Sequence, residues 1–245
     1  MGFILNRELN EFILLHSKFE KFGKFVVLKY NSMKMKRIFI YVVAMFFILC
    51  AQAQEARHYF TSMPDSVLPL LTAVNRADCI DFLDSHMRAE VTNRFNTKSE
   101  MTKLTPDFIE MKLSPASTWQ MKVLPRADAQ VVCVVSTVSG PAEDSHIRFY
   151  SDDWKALPLS SFIHTWPQID DFFTAVPDTV NANRYQSYRS RVEMLLTKAV
   201  LSPDAQTLTF IFTTPAALDA ETAAFLKPYI REEVVYHWRD GQFVR

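Results

Sequence analysis

Residues 131–138 read Val-Val-Cys-Val-Val-Ser-Thr-Val, a segment that is almost entirely apolar or small. Such a run is typical of a β-strand whose two faces are both covered by other parts of the molecule. The segment ends at Gly140-Pro141, a pair that breaks regular structure. We therefore predict a central strand here, with protein packed on each side of it.

Further strands are predicted on both sides of this segment. Upstream, residues 108–113 and 119–123 alternate between apolar and polar side chains, and Ser114-Pro115 supplies a turn between them. Downstream, residues 147–157 continue the strand pattern around an acidic turn. The pattern predicts a first antiparallel β-meander over 104–160.

The region before the meander has a helical period instead. Apolar residues recur at helical intervals between residues 66 and 87, and Asn75-Arg76-Ala77-Asp78 is a plausible break. We interpret this segment as one or two short helices within an N-terminal helical region, 54–103.

The second half of the chain, 161–245, is predicted to hold a connector, a second meander and a helix. Strict alternation over 207–213 indicates a strand, and the segment Asp219 to Lys227 is predicted as a helix that ends at Pro228. The fold class expected is therefore α+β, with short N-terminal helices followed by antiparallel meanders.

Two features recur in both halves. Asp-Ala-Gln precedes an apolar strand at 128–130 and again at 204–206, and an aromatic strand leads into an acidic turn at 149–154 and at 236–241. The repetition fits an internal duplication, and it equally fits meanders that use the same turn chemistry twice. The sequence leaves both interpretations open.

A secretory signal is predicted at 33–53. Met33 to Arg37 is basic, Ile38 to Cys50 is apolar, and Ala51-Gln52-Ala53 is the small-x-small pattern of a cleavage site between Ala53 and Gln54. The apolar run is shorter than the roughly 20 residues of a membrane-spanning helix, so no stable span is expected after signal removal. We expect export to the periplasm or cell envelope.

Residues 1–32 fit no export signal. We interpret them as a spurious extension that arises from a start codon chosen too far upstream. The mature chain is then 54–245, with 19 Lys and Arg against 24 Asp and Glu. This mildly acidic balance argues against a nucleic-acid partner, because such binding depends on Lys and Arg neutralising phosphates.

Cys79 and Cys133 are the cysteines of the predicted mature chain. In an oxidising compartment they could form a disulfide. Because each has apolar neighbours, they could equally be two buried thiols. The sequence does not decide between these possibilities.

Several common chemistries have no signature in the predicted mature chain. With Gly140 and Gly241 as its glycines, it lacks a P-loop, a dinucleotide-binding turn and a GxSxG nucleophile elbow. Its histidines form no compact metal-binding spacing. We therefore predict no cofactor, no metal and no catalytic residue.

Aromatic residues are numerous and offer a better indication of function. Most are expected to pack in the core, and an exposed minority would form a platform for a protein, glycan or peptide ligand. We take Trp154 and Trp238, with Asp152 and Asp153 beside the first, as candidate binding residues.

Short motifs in a fixed order suggest a relationship to other proteins. They are Met63-Pro64-Asp65, Arg76-Ala77-Asp78, Gln120-Met121-Lys122, Thr137-Val138-Ser139-Gly140-Pro141 and Tyr236-His237-Trp238-Arg239-Asp240-Gly241. In this combination the chain resembles a family of uncharacterised exported proteins from anaerobic Gram-negative bacteria. The resemblance implies an exported domain of unknown function and brings no catalytic residue. The extension 1–32 departs from the family pattern.

Three functional hypotheses follow. The leading one is a non-catalytic binding or accessory protein of the cell envelope. The second is a periplasmic hydrolase with the carboxylates of Asp152/Asp153 and Asp170/Asp171, which would have to face each other about 5 to 9 Å apart. The third is a structural component of an envelope complex.

Overall fold

A seven-stranded antiparallel sheet runs through the middle of the protein. The computed structural model describes residues 55–127, 129–178 and 180–245. The strands follow one another in chain order across the sheet. They are β1 (Glu90–Thr92), β2 (Lys98–Leu104), β3 (Phe108–Ser114), β4 (Ser117–Arg126), β5 (Ala129–Ser139), β6 (Glu143–Ser151) and β7 (Ala156–Leu157).

A second antiparallel sheet has four strands, in the order β11-β10-β9-β8. They are β8 (Thr197–Leu201), β9 (Thr207–Phe212), β10 (Glu233–Arg239) and β11 (Gln242–Val244). The helices are α1 (Glu55–Ser62), α2 (Ala73–Asp84), α3 (Ala182–Arg189) and α4 (Ala220–Leu226), with short 3₁₀ turns between elements. The expected α+β class with antiparallel meanders is confirmed.

The predicted central strand is β5, which pairs with β4 on one side and β6 on the other. Its side chains alternate between two cores because successive strand residues point to opposite faces. Val131, Cys133 and Val135 enter a core shared with the second sheet, which we call the sheet-side core. Val132 and Val134 enter a core beneath α1 and α2, which we call the helix-side core. The large sheet is therefore covered on both faces.

Polar side chains of the large sheet join it to β8, an edge strand of the second sheet. Each alternate backbone N–H of β8 donates to one of these side chains, at a distance of 2.9 to 3.2 Å. The pairs are Thr197 N–H to Asp144 Oδ1, Ala199 N–H to Ser145 Oγ and Leu201 N–H to Gln120 Oε1. An edge strand carries N–H groups that a neighbouring strand would otherwise satisfy, so these contacts complete the edge. We call them the polar seam.

The sheet begins earlier in the chain than the predicted boundary at 104. The helices α1 and α2 lie between residues 55 and 84, and β1 and β2 lie within 54–103, the predicted helical region. Both are short on apolar residues; β1 is an edge strand and β2 lies next to it. In β2 only Ser99 and Met101 are buried, so the alternation of its apolar residues is too weak to indicate a strand.

The helix break predicted at 75–78 is wrong, because these residues lie inside α2. Thr72 is the N-cap: its hydroxyl accepts the N–H of Asn75, and the Asn75 side chain accepts the N–H of Thr72. This reciprocal capping box starts the helix. Asn75 therefore opens α2 rather than interrupting it.

The cysteines do not form a disulfide. Cys79 and Cys133 are free buried thiols. Cys79 belongs to the helix-side core and Cys133 to the sheet-side core, so the large sheet separates them. The sequence left open a disulfide or two buried thiols, and the structure shows two buried thiols.

Two sequence predictions concern residues outside the part of the chain that the structure describes. The signal segment 33–53 with its cleavage site at Ala53 and Gln54, and the extension 1–32, lie outside the described residues. The proposed duplication stays a prediction. β4–β5–β6 and β8–β9–β10 are each three antiparallel strands with an apolar strand in the middle, which both interpretations accommodate.

A buried arginine fastens α1 to α2. The guanidinium of Arg76, 1% exposed, donates to the carbonyl oxygens of Phe60, Met63 and Leu71 and forms an ion pair with Asp65. A buried charge is tolerated only when such partners surround it. Arg76 therefore holds the turn between the two helices in a single arrangement.

We expect Arg76→Met to lower the free energy of unfolding by about 3 kcal/mol, because it leaves buried carbonyl groups without donors. For a domain of this size, the melting temperature should fall by roughly 6 to 12 °C. The control is Arg94→Met, which removes an exposed partner of the same Asp65 and should cost at most about 1 kcal/mol. Equal losses in thermal denaturation of the two variants would contradict the role given to Arg76.

Candidate functional site

The predicted binding residues do not form one site. Trp154 lies in the helix-side core, where its ring contacts Tyr59 and Tyr150 at centroid distances of 6.3 and 5.4 Å. Trp238 lies in the sheet-side core. Since the large sheet lies between these cores, the two indoles cannot line a common surface.

Asp152 and Asp153 belong to the exposed turn between β6 and β7. Asp153 pairs with Lys155 and accepts a hydrogen bond from Ser151 Oγ, both at 2.5 Å. The hydrogen bond from Lys155, followed by that from Ser151, lowers the pKa of Asp153. Trp154, which follows, has a positive φ of 62° in the same turn. Asp153 therefore stabilises a turn whose tryptophan points into the core.

The second pair of acids is also engaged locally. Asp170 pairs with Arg189 at 2.5 Å, and Asp171 pairs with Arg245. Asp171 also accepts the backbone N–H of Gln168 at 2.8 Å. That hydrogen bond and the one from Arg245 lower the pKa of Asp171. Asp153, Asp170 and Asp171 thus each have a cationic partner.

A cleft forms where three turns meet, and Trp238 is part of it. The turns are those between β4 and β5, between β8 and β9, and between β10 and β11. We call it the turn-end cleft; its volume is about 590 Å³ and it is lined by Pro125, Arg126, Ala127, Gln206, Trp238, Asp240 and Gly241. Of the four predicted binding residues, only Trp238 lies here.

Trp238 ties the three turns together. Its indole Nε1–H donates to the carbonyl oxygen of Pro125 at 2.7 Å, and its backbone N–H donates to the carbonyl oxygen of Gln206 at 2.8 Å. Its ring stacks on Phe162 at a centroid distance of 6.1 Å. The indole is therefore a fixed wall of the cleft.

Arg126 brings a positive charge to the mouth of the cleft. Its residue is exposed, and its guanidinium carbon lies 5.5 Å from the centroid of the Phe162 ring. This cation–π contact and the neighbouring turn orient the side chain. Asp240 places a carboxylate in the same lining, so the cleft offers charges of both signs.

The turn between β10 and β11 depends on its glycine. Asp240 and Gly241 have φ values of 50° and 79°, and Arg239 pairs with Gln242 across them. Two central residues with positive φ define a type I′ hairpin turn, for which Asp-Gly is a preferred sequence. A Cβ at position 241 would lie 3.0 Å from Cγ of Arg126. Glycine is thus required by both the backbone and the arginine.

The sequence analysis missed Arg126, Gln206, Asp240 and Gly241 as members of a site. One local signal was available, since Asp-Gly after an alternating segment indicates a hairpin. The Asp-Ala-Gln repeats supplied another, because Ala127, next to the first repeat, and Gln206, in the second, line the same cleft. No local signal in the sequence indicates that Arg126 lies against Gly241.

The remaining candidate groups offer no second reactive centre within the described residues. Burial raises the pKa of Cys79 to about 12, and burial also raises the pKa of Cys133. In the part of the chain that the structure describes, no three His, Cys, Asp or Glu side chains converge to hold a metal ion. Nor does any helix among these residues have the length and apolar character needed to cross a membrane.

Comparison with known proteins gives a family and a related structure. A family model described as "Protein of unknown function (DUF3256)" matches residues 48–243. A solved domain of an uncharacterised protein from Porphyromonas gingivalis W83 is similar, with 30% sequence identity and a TM-score of 0.67. The similarity covers 79% of this chain and 98% of that domain. No curated protein matches this chain.

We expect Gly241→Ala to destabilise the protein by about 1 kcal/mol or more, because alanine resists a positive φ and its methyl group would displace Arg126. Gly140→Ala is the matched control, since its Cβ would meet nothing closer than the Ala142 carbonyl oxygen at 3.6 Å. Denaturant unfolding should show no loss for that variant. A Gly241→Ala protein as stable as Gly140→Ala would rule out the tight turn.

Proposed function

This chain belongs to the DUF3256 family of proteins of unknown function, and we propose that it is an exported, non-catalytic binding or accessory protein of the cell envelope. The observation that carries this proposal is the turn-end cleft. An indole, a guanidinium, a carboxylate and an amide line one concave surface there, on Trp238, Arg126, Asp240 and Gln206. Ligand sites commonly combine an apolar wall with a few placed polar groups in this way.

The construction of the cleft supports binding in particular. Its three turns are connected by the hydrogen bonds of Trp238 to Pro125 and Gln206, so little ordering is needed when a ligand arrives. A preorganised surface loses less entropy on binding. The amphipathic indole and the charges of both signs suit a glycan or a peptide.

The hydrolase alternative has weaker support. It needs two carboxyl groups that face a common substrate. Asp153, Asp170 and Asp171 instead form ion pairs with Lys155, Arg189 and Arg245. Three of the four candidate acids are therefore engaged in local ion pairs.

Export is supported by the N-terminal sequence. The basic, apolar and small-x-small segments at 33–53 are the three parts of a secretory signal. Cleavage after Ala53 would retain α1 (Glu55–Ser62) in the exported chain.

We expect a ligand of the turn-end cleft to raise the melting temperature of the protein that is purified after expression of the full-length chain. The probes are soluble oligosaccharides and short peptides. At about 100 times its dissociation constant, a ligand adds roughly 2.7 kcal/mol, which corresponds to about 5 to 10 °C here. Arg126→Ala should abolish the shift, whereas Arg94→Ala, at an exposed arginine outside the cleft lining, should retain it. A shift that survives Arg126→Ala would place the ligand elsewhere.

We expect the full-length chain, expressed in a Gram-negative host, to be recovered from the envelope or periplasm with Gln54 as its first residue. Ala53→Leu should leave the precursor uncleaved, since cleavage needs a small residue at that position. Gln52→Leu, at the tolerant middle position, should be processed normally. N-terminal sequencing and intact mass after fractionation give the answer. A cytoplasmic product that retains residues 33–53 would refute export.

A further inference from the structure

A second cleft lies beside α3, and the proposed function does not use it. It has a volume of about 510 Å³, and we call it the Arg189 cleft. The lining residues that matter here are Asp170, Phe173, Tyr185, Gln186, Arg189 and Val192. It combines one guanidinium with aromatic and apolar surface.

Arg189 is held in place within this cleft. Its guanidinium carbon lies 4.2 Å from the centroid of the Phe173 ring, and its side chain is only 17% exposed. A guanidinium stacked on an aromatic ring keeps its plane and its edge donors in a fixed direction. The charge is thus preorganised before any ligand arrives.

Asp170 is a loosely placed partner for that charge. One carboxylate oxygen of Asp170 lies 2.5 Å from Nη2 of Arg189, while the Asp170 side chain is 93% exposed. Ion pairs with a solvent-exposed partner contribute little to stability. A guanidinium can also donate two parallel hydrogen bonds to a carboxylate. A ligand carboxylate could therefore displace Asp170 at low cost.

We propose that the Arg189 cleft binds the free C-terminal carboxylate of a peptide, with Asp170 occupying that position when no ligand is bound. The other lining groups could contact the backbone and the side chain of the peptide's last residue. The Gln186 amide is placed to meet a backbone group, and Tyr185 and Val192 present apolar surface to a side chain.

Within the lining, Arg189 is the cation that an anionic ligand would meet, and Asp170 is the carboxylate that it would replace. Arg184 and Arg191 flank Arg189 on and just after α3, and each guanidinium also lies over the ring of Tyr188. The acids near these arginines are Asp170, Glu221, which accepts a hydrogen bond from the Tyr188 hydroxyl, and Asp219, which pairs with Arg191 at 3.7 Å. Phe173, Tyr185 and Val192 offer an apolar contact to the side chain of a peptide's last residue, a contact that an acidic sugar would not use.

The test is isothermal titration of the full-length product with N-acetyl-L-leucine, which carries a free α-carboxylate and one amide. Its uncharged match, N-acetyl-L-leucinamide, should bind at least tenfold more weakly. Asp170→Asn should tighten binding of the acid about threefold or more, because it removes the competing carboxylate. Arg189→Gln should weaken binding at least tenfold, and Arg184→Gln is the matched control that should change little.

Tighter binding by Asp170→Asn cannot result from misfolding, since a misfolded protein would lose affinity. The proposal fails if the acid and the amide bind equally, if Asp170→Asn does not tighten binding, or if the acid fails to bind that variant at millimolar concentration. D-glucuronate that binds as well as N-acetyl-L-leucine would overturn the peptide assignment. Arg126→Ala should leave this titration unchanged, so the result is independent of the turn-end cleft.

Discussion

The polar seam is the constraint on which the arrangement of the two sheets depends. β8 approaches the large sheet with an unpaired edge, and unsatisfied buried N–H groups would make that approach unfavourable. Asp144, Ser145 and Gln120 supply acceptors at a spacing that matches alternate residues of β8. Around these contacts the apolar faces of both sheets close over the sheet-side core. The hydrophobic effect drives this closure, while the seam fixes where β8 lies.

That arrangement also creates both clefts. The turn-end cleft exists because the β4–β5 turn of one sheet meets the β8–β9 and β10–β11 turns of the other. The Arg189 cleft lies in the connector that leads from the first sheet to the second, where Phe173 packs on Phe212 of β9. Neither site belongs to one meander alone. A change that shifted the second sheet would therefore disturb both clefts, even though their lining residues are separate.

The sequence predicted what depends on local periodicity and missed what depends on long-range geometry. β5 was identified because an apolar run of that length needs cover on both faces, and residues 119–123 and 207–213 were identified by strict alternation. The separation of Cys79 from Cys133, and of Trp154 from Trp238, depends on which face of a sheet each residue occupies after many intervening turns. The contact of Arg126 with Gly241 likewise follows only from the packing of two sheets, and no local pattern specifies it.

The motifs that carry the family resemblance are explained largely by the scaffold. Arg76 and Asp65 form the clamp between α1 and α2, and Lys122 is a buried cation that pairs with Asp107 at 2.9 Å. Tyr236 donates to the carbonyl oxygen of Thr165 at 2.9 Å. Such contacts explain why these residue types occur together without any shared chemistry. Side chains that the fold orients but leaves accessible to a ligand are better candidates for function. Arg126 and Arg189 are two such residues, since each guanidinium lies over an aromatic ring and lines an open cleft.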